Sequence, residues 1–323
     1  LTERIRSSSA SFVIIDEIQK IPALLDEVHR QHERGVRFAL FGSSARKVRH
    51  GHANLLGGRA IRFQLFGLVS GELGDNFDLS RCVNHGFLPR IYNATHATPY
   101  LHSYVTDYLR EEIAAEGLAR RVGIFDDFLR QAALSDTAPI NATTIARECG
   151  ISADTVRNYF EILEDTLMGT LLPAFTKRPK RRITKAPKFY FHDVGIVNSL
   201  LRRGRLEPGT ELFGRAFENW IHHELRAYNS YRQRYAHMTY WRLSTGVEVD
   251  FLINDIELAV ECKASERVRS EHLKGLRELA KEHPTIQRRV VVSLVNAPRM
   301  TKDRIEILPV ADFCRLLWTD QLF

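Results

Sequence analysis

The chain has 323 residues and a formal net charge of +7, and its 44% hydrophobic and 26% charged residues are those of a globular protein able to bury two or three cores. No apolar run approaches the roughly 18 residues of a membrane helix, so no membrane span is expected. The four cysteines, Cys82, Cys149, Cys262 and Cys314, form no CxxC pair and no small-protein framework, which argues against structural zinc and disulfides and fits a reducing cytoplasm.

In chain order, Ser11-Phe-Val-Ile-Ile-Asp16-Glu17 reads as an apolar strand ending in two acids, followed by a helix opening at Ala23. A second strand, Val36 to Phe41, ends in Gly42-Ser43-Ser44, and Leu55-Leu-Gly-Gly-Arg59 follows. Taken alone, an apolar run before two acids is also a capped strand end. In this order the segments resemble a prokaryotic AAA-type P-loop ATPase family that carries a C-terminal domain of unknown function. The resemblance implies that Asp16 holds Mg²⁺ through water and that Glu17 positions or deprotonates the attacking water. It also implies that Ser43 and Ser44 meet the γ-phosphate and that Arg59 acts as an arginine finger between subunits of a homo-oligomer. ATP and Mg²⁺ are the implied cofactors of the full-length parent. No Gly-x-x-x-x-Gly-Lys-(Ser/Thr) loop occurs in these 323 residues and the first residue is Leu1. The expectation is therefore an N-terminally truncated ATPase core that binds ATP poorly.

The middle of the chain predicts helices over Tyr100 to Ile113 and Phe125 to Leu134. Thr143 to Tyr159 then reads as a helix-turn-helix, with Ala146 at the helix crossing, Gly150 in the turn, Ser152 as N-cap and Val156 locking the second helix. Arg157 and Asn158, exposed on that second helix, are the residues expected to reach a DNA groove. Leu171 to Phe175 and Phe189 to Phe191 are expected to form the strands of a wing. Between them Lys177 to Lys188 holds seven cations and no acid. Lys177, Arg178, Lys180, Arg181 and Arg182 are accordingly expected to contact phosphate. Two alternatives stand beside DNA contact: a solvated charged loop, and a winged helix that serves as a structural or protein-contact module. His192-Asp193 is expected to close a strand with a turn.

Near the C-terminus, Val247 to Ile253 and Ile256 to Lys263 read as two strands joined by a two-residue turn at Asn254-Asp255. Alternation puts Glu248, Asp250, Glu261 and Lys263 on one face, with Asp250 opposite Ala259 and Glu248 opposite Glu261. A solvated outer face of a hairpin would give the same pattern. Asp250 followed by Glu261-x-Lys263 resembles the Asp…(Asp/Glu)-x-Lys signature of restriction-endonuclease-like nucleases. The helix from Gly214, with Glu218 at the border of its apolar face, resembles that fold's first helix. The resemblance implies Mg²⁺ held by Asp250, Glu261 and Glu218, with Lys263 orienting the nucleophile.

The fold class expected from these parts is α/β multidomain. Residues 1–80 make the C-terminal part of an AAA-type core, 81–206 a helical linker with a winged helix-turn-helix, and 207–323 a restriction-endonuclease-like domain. Two functions compete: an ATPase coupled to Mg²⁺-dependent DNA cleavage, and a DNA- or protein-binding ATPase whose nuclease-like domain is a catalytically silent scaffold.

Overall fold

The computed structural model describes residues 1–42, 60–108, 122–177 and 181–323. The chain forms two units, one of residues 1–63 with 160–168, the other of residues 64–159 with 169–323.

In the first unit, helix α1 (Thr2–Ser8) precedes strand β1 (Phe12–Ile15), helix α2 (Leu24–His32) and strand β2 (Arg37–Leu40). β1 and β2 run parallel, with Phe12 paired to Arg37 and Ile15 to Leu40. A parallel pair needs a crossover, and α2 supplies it. Its apolar residues Leu25 and Val28 are buried while its charged residues Asp26 and Arg30 face solvent.

The second unit begins with a helical layer: α3 (Leu79–His85), α4 (Ala97–Ser103), α5 (Val122–Leu134), α6 (Ala142–Cys149) and α7, whose full span is Ala153–Asp165. Asn141 caps α6 by accepting from the Thr144 N–H at 3.1 Å, and Gly150 ends it at φ 64°. Ser152 accepts from the Thr155 N–H at 3.1 Å and starts α7. Val156 is buried on α7. A two-stranded antiparallel hairpin follows, β3 (Gly169–Leu172) with β4 (Lys188–Phe191). The expected strand Leu171 to Phe175 stops at Leu172. Pro173 has no N–H for a ladder, and its carbonyl accepts from Tyr240 while the Phe175 N–H donates to the Tyr240 carbonyl at 2.7 Å. Asp193 caps the next helix, α8 (Val194–Leu200), and also accepts from the N–H groups of Phe87 and Leu88 at 2.7 and 2.9 Å.

The C-terminal part is a six-stranded mixed sheet in the order β5-β6-β7-β8-β10-β9. The long helix α9 (Glu211–Tyr231) precedes β5 (Met238–Arg242), β6 (Glu248–Ile253) and β7 (Leu258–Lys263); α10 (Lys274–Glu282), β8 (Arg288–Ser293), β9 (Arg299–Met300), β10 (Glu306–Pro309) and α11 (Val310–Trp318) follow. Both faces of the sheet are covered. Phe217, Trp220 and Ile221 of α9 and Phe313 of α11 pack on Phe251, Val260 and Val290. Leu276 and Leu279 of α10 pack on Val249, Ala259 and Val291. Burying each large apolar side chain contributes about 1.5–3 kcal/mol, and these contacts hold the helices on both faces of the sheet.

Helix α9 also carries the buried carboxylate of Glu224, which accepts from the Ser70 N–H and hydroxyl at 2.7 and 2.8 Å and from Trp318 Nε1 at 2.8 Å. Burial raises its pKa from 4.5 to about 7, against the pull of those donors. An acid whose folded pKa is raised binds more protons folded than unfolded between the two values, so this group's contribution falls as pH rises through that window. The stability cost of Glu224→Gln, measured by urea unfolding, is therefore expected to shrink between pH 5 and pH 8 by up to about 3 kcal/mol; a cost that grows with pH would contradict the assignment.

Candidate functional site

β6 positions the acids through a bulge. Thr239 pairs with Leu252 but Trp241 pairs with Val249, so Asp250 and Phe251 together face Tyr240. An extra residue in one strand re-aims its neighbours. Val249 and Leu252 consequently share the α10 face, while Phe251 and Ile253 pack with α9. The loop to β7 is four residues rather than two: Ile253 pairs with Leu258, and the Glu257 N–H closes on the Ile253 carbonyl at 3.1 Å. Asn254 and Asp255 both adopt left-handed backbone, at φ 48° and 66°. The longer loop shifts the register by two, so Leu252, and not Asp250, lies opposite Ala259. Continuing that register sets Asp250 opposite Glu261, in place of Glu248.

The expected single face is divided. Glu218 of α9 joins Glu248 and Asp250, whose carboxylate oxygens with its own lie within 4.8 Å of one another. Cys262 belongs to the core under α9, so alternation turns Glu261 and Lys263 toward the other side of the sheet. There Lys263 Nζ holds Glu261 Oε1 at 2.6 Å. Asp250 links the halves: its Oδ2 accepts from the Cys262 N–H at 2.8 Å. Glu261 is raised to about 8, by burial first and then by Asp250, while Lys263 opposes the rise. Glu261 Oε2 is buried and has no hydrogen-bond partner.

The three clustered carboxylates already hold a cation. Lys188 of β4, 1% exposed, places its Nζ 2.9 Å from Glu218 Oε1 and 3.8 Å from Asp250 Oδ1, and it also bonds Glu248 Oε1. Tyr190, two residues along the same strand, donates its hydroxyl to Glu218 at 2.6 Å. Burial alone would pull the ammonium down, but the Glu218, Asp250 and Glu248 carboxylates outweigh it and hold Lys188 above the ordinary lysine value. Glu218 itself is lifted to about 7 by burial, against Lys188. In the sequence Lys188 belongs to the basic run, and its signal is the flanking apolar pair Phe189-Tyr190, which marks a buried strand. The carboxylate set has the chemistry of a Mg²⁺ site. Its focus, however, is taken by the ammonium, and a divalent ion beside it would meet strong repulsion in a buried setting. With Lys188 in place, the focus of Glu218, Glu248 and Asp250 does not fit the metal.

The remaining predicted residues are dispersed. Asp16 is exposed just beyond β1, and Glu17 is left-handed at φ 53°, its N–H donating to Asp16 Oδ1 at 3.0 Å. Ser43, Ser44, Arg59, Arg178 and Lys180 lie outside the described residues. Arg157 and Asn158 are exposed on α7, Arg157 paired with Asp154. Lys177 pairs with Asp255 at 2.5 Å, and Arg181 pairs with Glu278 at 2.9 Å and with Glu282. The backbone around Arg182 runs along β5, the Ser244 N–H donating to the Arg182 carbonyl at 3.0 Å and the Thr184 N–H to Arg242 at 2.9 Å. Much of the basic run is thus strapped to the C-terminal sheet.

Residues 1–74 match an AAA domain, which is consistent with an AAA-type ATPase family. Residues 76–207 and 213–313 match two domains of unknown function, DUF8612 and DUF4143. Uncharacterized proteins of Mycobacterium bovis and Mycobacterium tuberculosis are each 25% identical over 256 residues, covering 76% of this chain and 57% of their own. The chain thus spans a little over half the length of the curated relatives it matches. No solved structure is detectably similar. No helix among the described residues is long and apolar enough to cross a membrane.

Removing one partner of a buried ion pair leaves uncompensated charge and costs about 3–5 kcal/mol. Lys188→Met is expected to destabilise the protein by that amount in urea unfolding. Adding Glu218→Gln should recover part of the loss, because it removes one of the stranded carboxylates.

Proposed function

We propose that this chain is part of an AAA-type ATPase whose C-terminal domain, of restriction-endonuclease-like build, is a catalytically silent scaffold for a DNA- or protein-binding module. One observation carries this reading: the Lys188 ammonium fills the focus of Glu218, Glu248 and Asp250, and the nuclease resemblance assigns two of these acids, Glu218 and Asp250, to the metal. The acids are explained by what they bind within the chain. The helix-turn-helix, with Arg157 and Asn158 exposed, is the surface we assign to DNA.

A second reading, Mg²⁺-dependent phosphodiester cleavage, draws support from the unpartnered Glu261 Oε2 and from Asp250, Glu261 and Lys263 lying on adjacent strands. Titrating Mn²⁺ into the parent in a calorimeter separates the two. The scaffold reading expects no heat from the parent, an intact supercoiled plasmid in Mg²⁺, and metal binding only after Lys188→Met. Heat from the parent, together with plasmid nicking that Asp250→Asn abolishes, would establish the cleavage reading instead.

In the ATPase part of the proposal, Glu17 is the base that handles the attacking water, with Asp16 on the Mg²⁺ side. General-base catalysis is worth about 10²–10⁴-fold. In a longer form that carries a phosphate loop, Glu17→Gln is expected to slow phosphate release from ATP by that factor; turnover unaffected by the substitution would remove Glu17 from the mechanism.

A further inference from the structure

A cleft of about 720 Å³ opens between α3, α4 and the turn that follows α8. Arg81, Arg202, Arg203 and Arg205 line it together with His85 and His102, and among the described residues Asp78 is the one acid in its wall, which leaves these an excess of three positive charges with both histidines neutral. The arginine charges are poorly offset. Arg81 spends its N–H groups on the carbonyls of Tyr92, Ile91 and Ala94, which neutralise nothing. Asp78 is engaged in capping α3, accepting from the Arg81 N–H at 3.1 Å. Arg203 reaches the amide oxygen of Asn198 at 3.4 Å. Arg205 pairs with Glu207 at 3.1 Å, but both side chains are largely solvent-exposed, so the pair is weak. Arg202 has no side-chain hydrogen bond or ion pair among the described residues. Burial pulls Arg203 below the ordinary arginine value, and Arg215 adds to that against Asp136, as expected of a guanidinium short of counter-charge.

The backbone gives a second, independent indication. Arg202 stands at φ 49°, the left-handed position just after α8 where helices usually place glycine. The Arg203 N–H closes the turn on the Asn198 carbonyl at 2.9 Å, and the Asn198 amide is anchored on the Val83 carbonyl at 2.9 Å. A bulky side chain in this conformation costs stability, and such outliers cluster at functional sites. Here the strained turn brings three arginines within four residues to one wall.

We infer that this cleft binds a small oligophosphate, either inorganic triphosphate or the phosphate chain of a nucleotide. Guanidinium forks match phosphate oxygens two at a time. The volume lies within the roughly 300–1,000 Å³ of small-ligand sites. Among the described residues no Phe, Tyr or Trp lines the cleft, so these offer no aromatic platform for a base and the cleft recognises the phosphate chain instead. This site is independent of the scaffold reading and of the acid cluster.

Arg202→Gly separates binding from folding, since it relieves the left-handed strain while deleting the guanidinium. Calorimetry in Mg²⁺-free buffer with sodium triphosphate, ATP and adenosine should show triphosphate and ATP binding the parent and adenosine giving no heat. Arg202→Gly should weaken triphosphate binding at least tenfold while its melting temperature stays at or above that of the parent. Arg205→Gln, an exposed substitution, should weaken it to a lesser degree. Triphosphate affinity equal in the parent and both variants would overturn the proposal. So would a parent that binds a 20-base-pair duplex through these arginines but not triphosphate, which would reassign the cleft to nucleic-acid backbone.

Discussion

An ammonium group is buried only where the protein supplies charge and hydrogen bonds in place of water, because desolvation costs several kcal/mol per ion. For Lys188 that replacement comes from Glu218 on α9 and from Glu248 and Asp250 on β6. The pairing sets β4 against the long helix and the bulged strand at once. The β3–β4 hairpin therefore cannot shift relative to the sheet without exposing three carboxylates and a lysine to a dry interior. Pro173 to Phe175 and Arg182 to Thr184 are laid along β5 beside that anchor.

Helix α9 is where the buried polar groups converge. Along it, Glu218 meets Lys188 and Tyr190, Asn219 donates to Asp136 at 3.1 Å, and Glu224 gathers Ser70 and Trp318. Each contact joins α9 to a segment distant in sequence, and each is made by a group that would be costly to leave unsatisfied. Hydrophobic packing by Phe217, Trp220 and Ile221 gives this helix its affinity for the sheet, but packing tolerates sliding. The directional polar contacts fix which residues of the 64–70 segment, β4 and α11 it faces.

The sequence showed the strands β1 and β2, the turn at Gly150, the cap at Ser152 and the strands β6 and β7, because each has a local signature in periodicity or turn chemistry. It did not show the bulge at Asp250 and Phe251, which depends on how β5 pairs with β6 and leaves no mark in β6 alone. Strict alternation from Val247 to Ile253 therefore placed Glu248 opposite Glu261 and Asp250 opposite Ala259, whereas the bulge and the longer loop bring Asp250 opposite Glu261 and leave Glu248 with Glu218. Lys188 was hidden for a related reason. Its role is decided by acids 30, 60 and 62 residues further on, and within its own neighbourhood it is one more cation in a basic run.

That run shows how little a linear charge count reveals about electrostatic function. Of its cations, Lys188 is an interior counter-ion, and Lys177 and Arg181 answer acids of the C-terminal sheet. Their field at a distance is largely cancelled, so they add little to long-range attraction of a polyanion. Arg202 and Arg203 lie outside that run, yet the cleft after α8 gathers them with Arg81 and Arg205 around one lining acid among the described residues, Asp78. The charge available for recognition is decided by which cations the fold leaves without an acid, and that follows from the pairing of strands and helices far from the cations themselves.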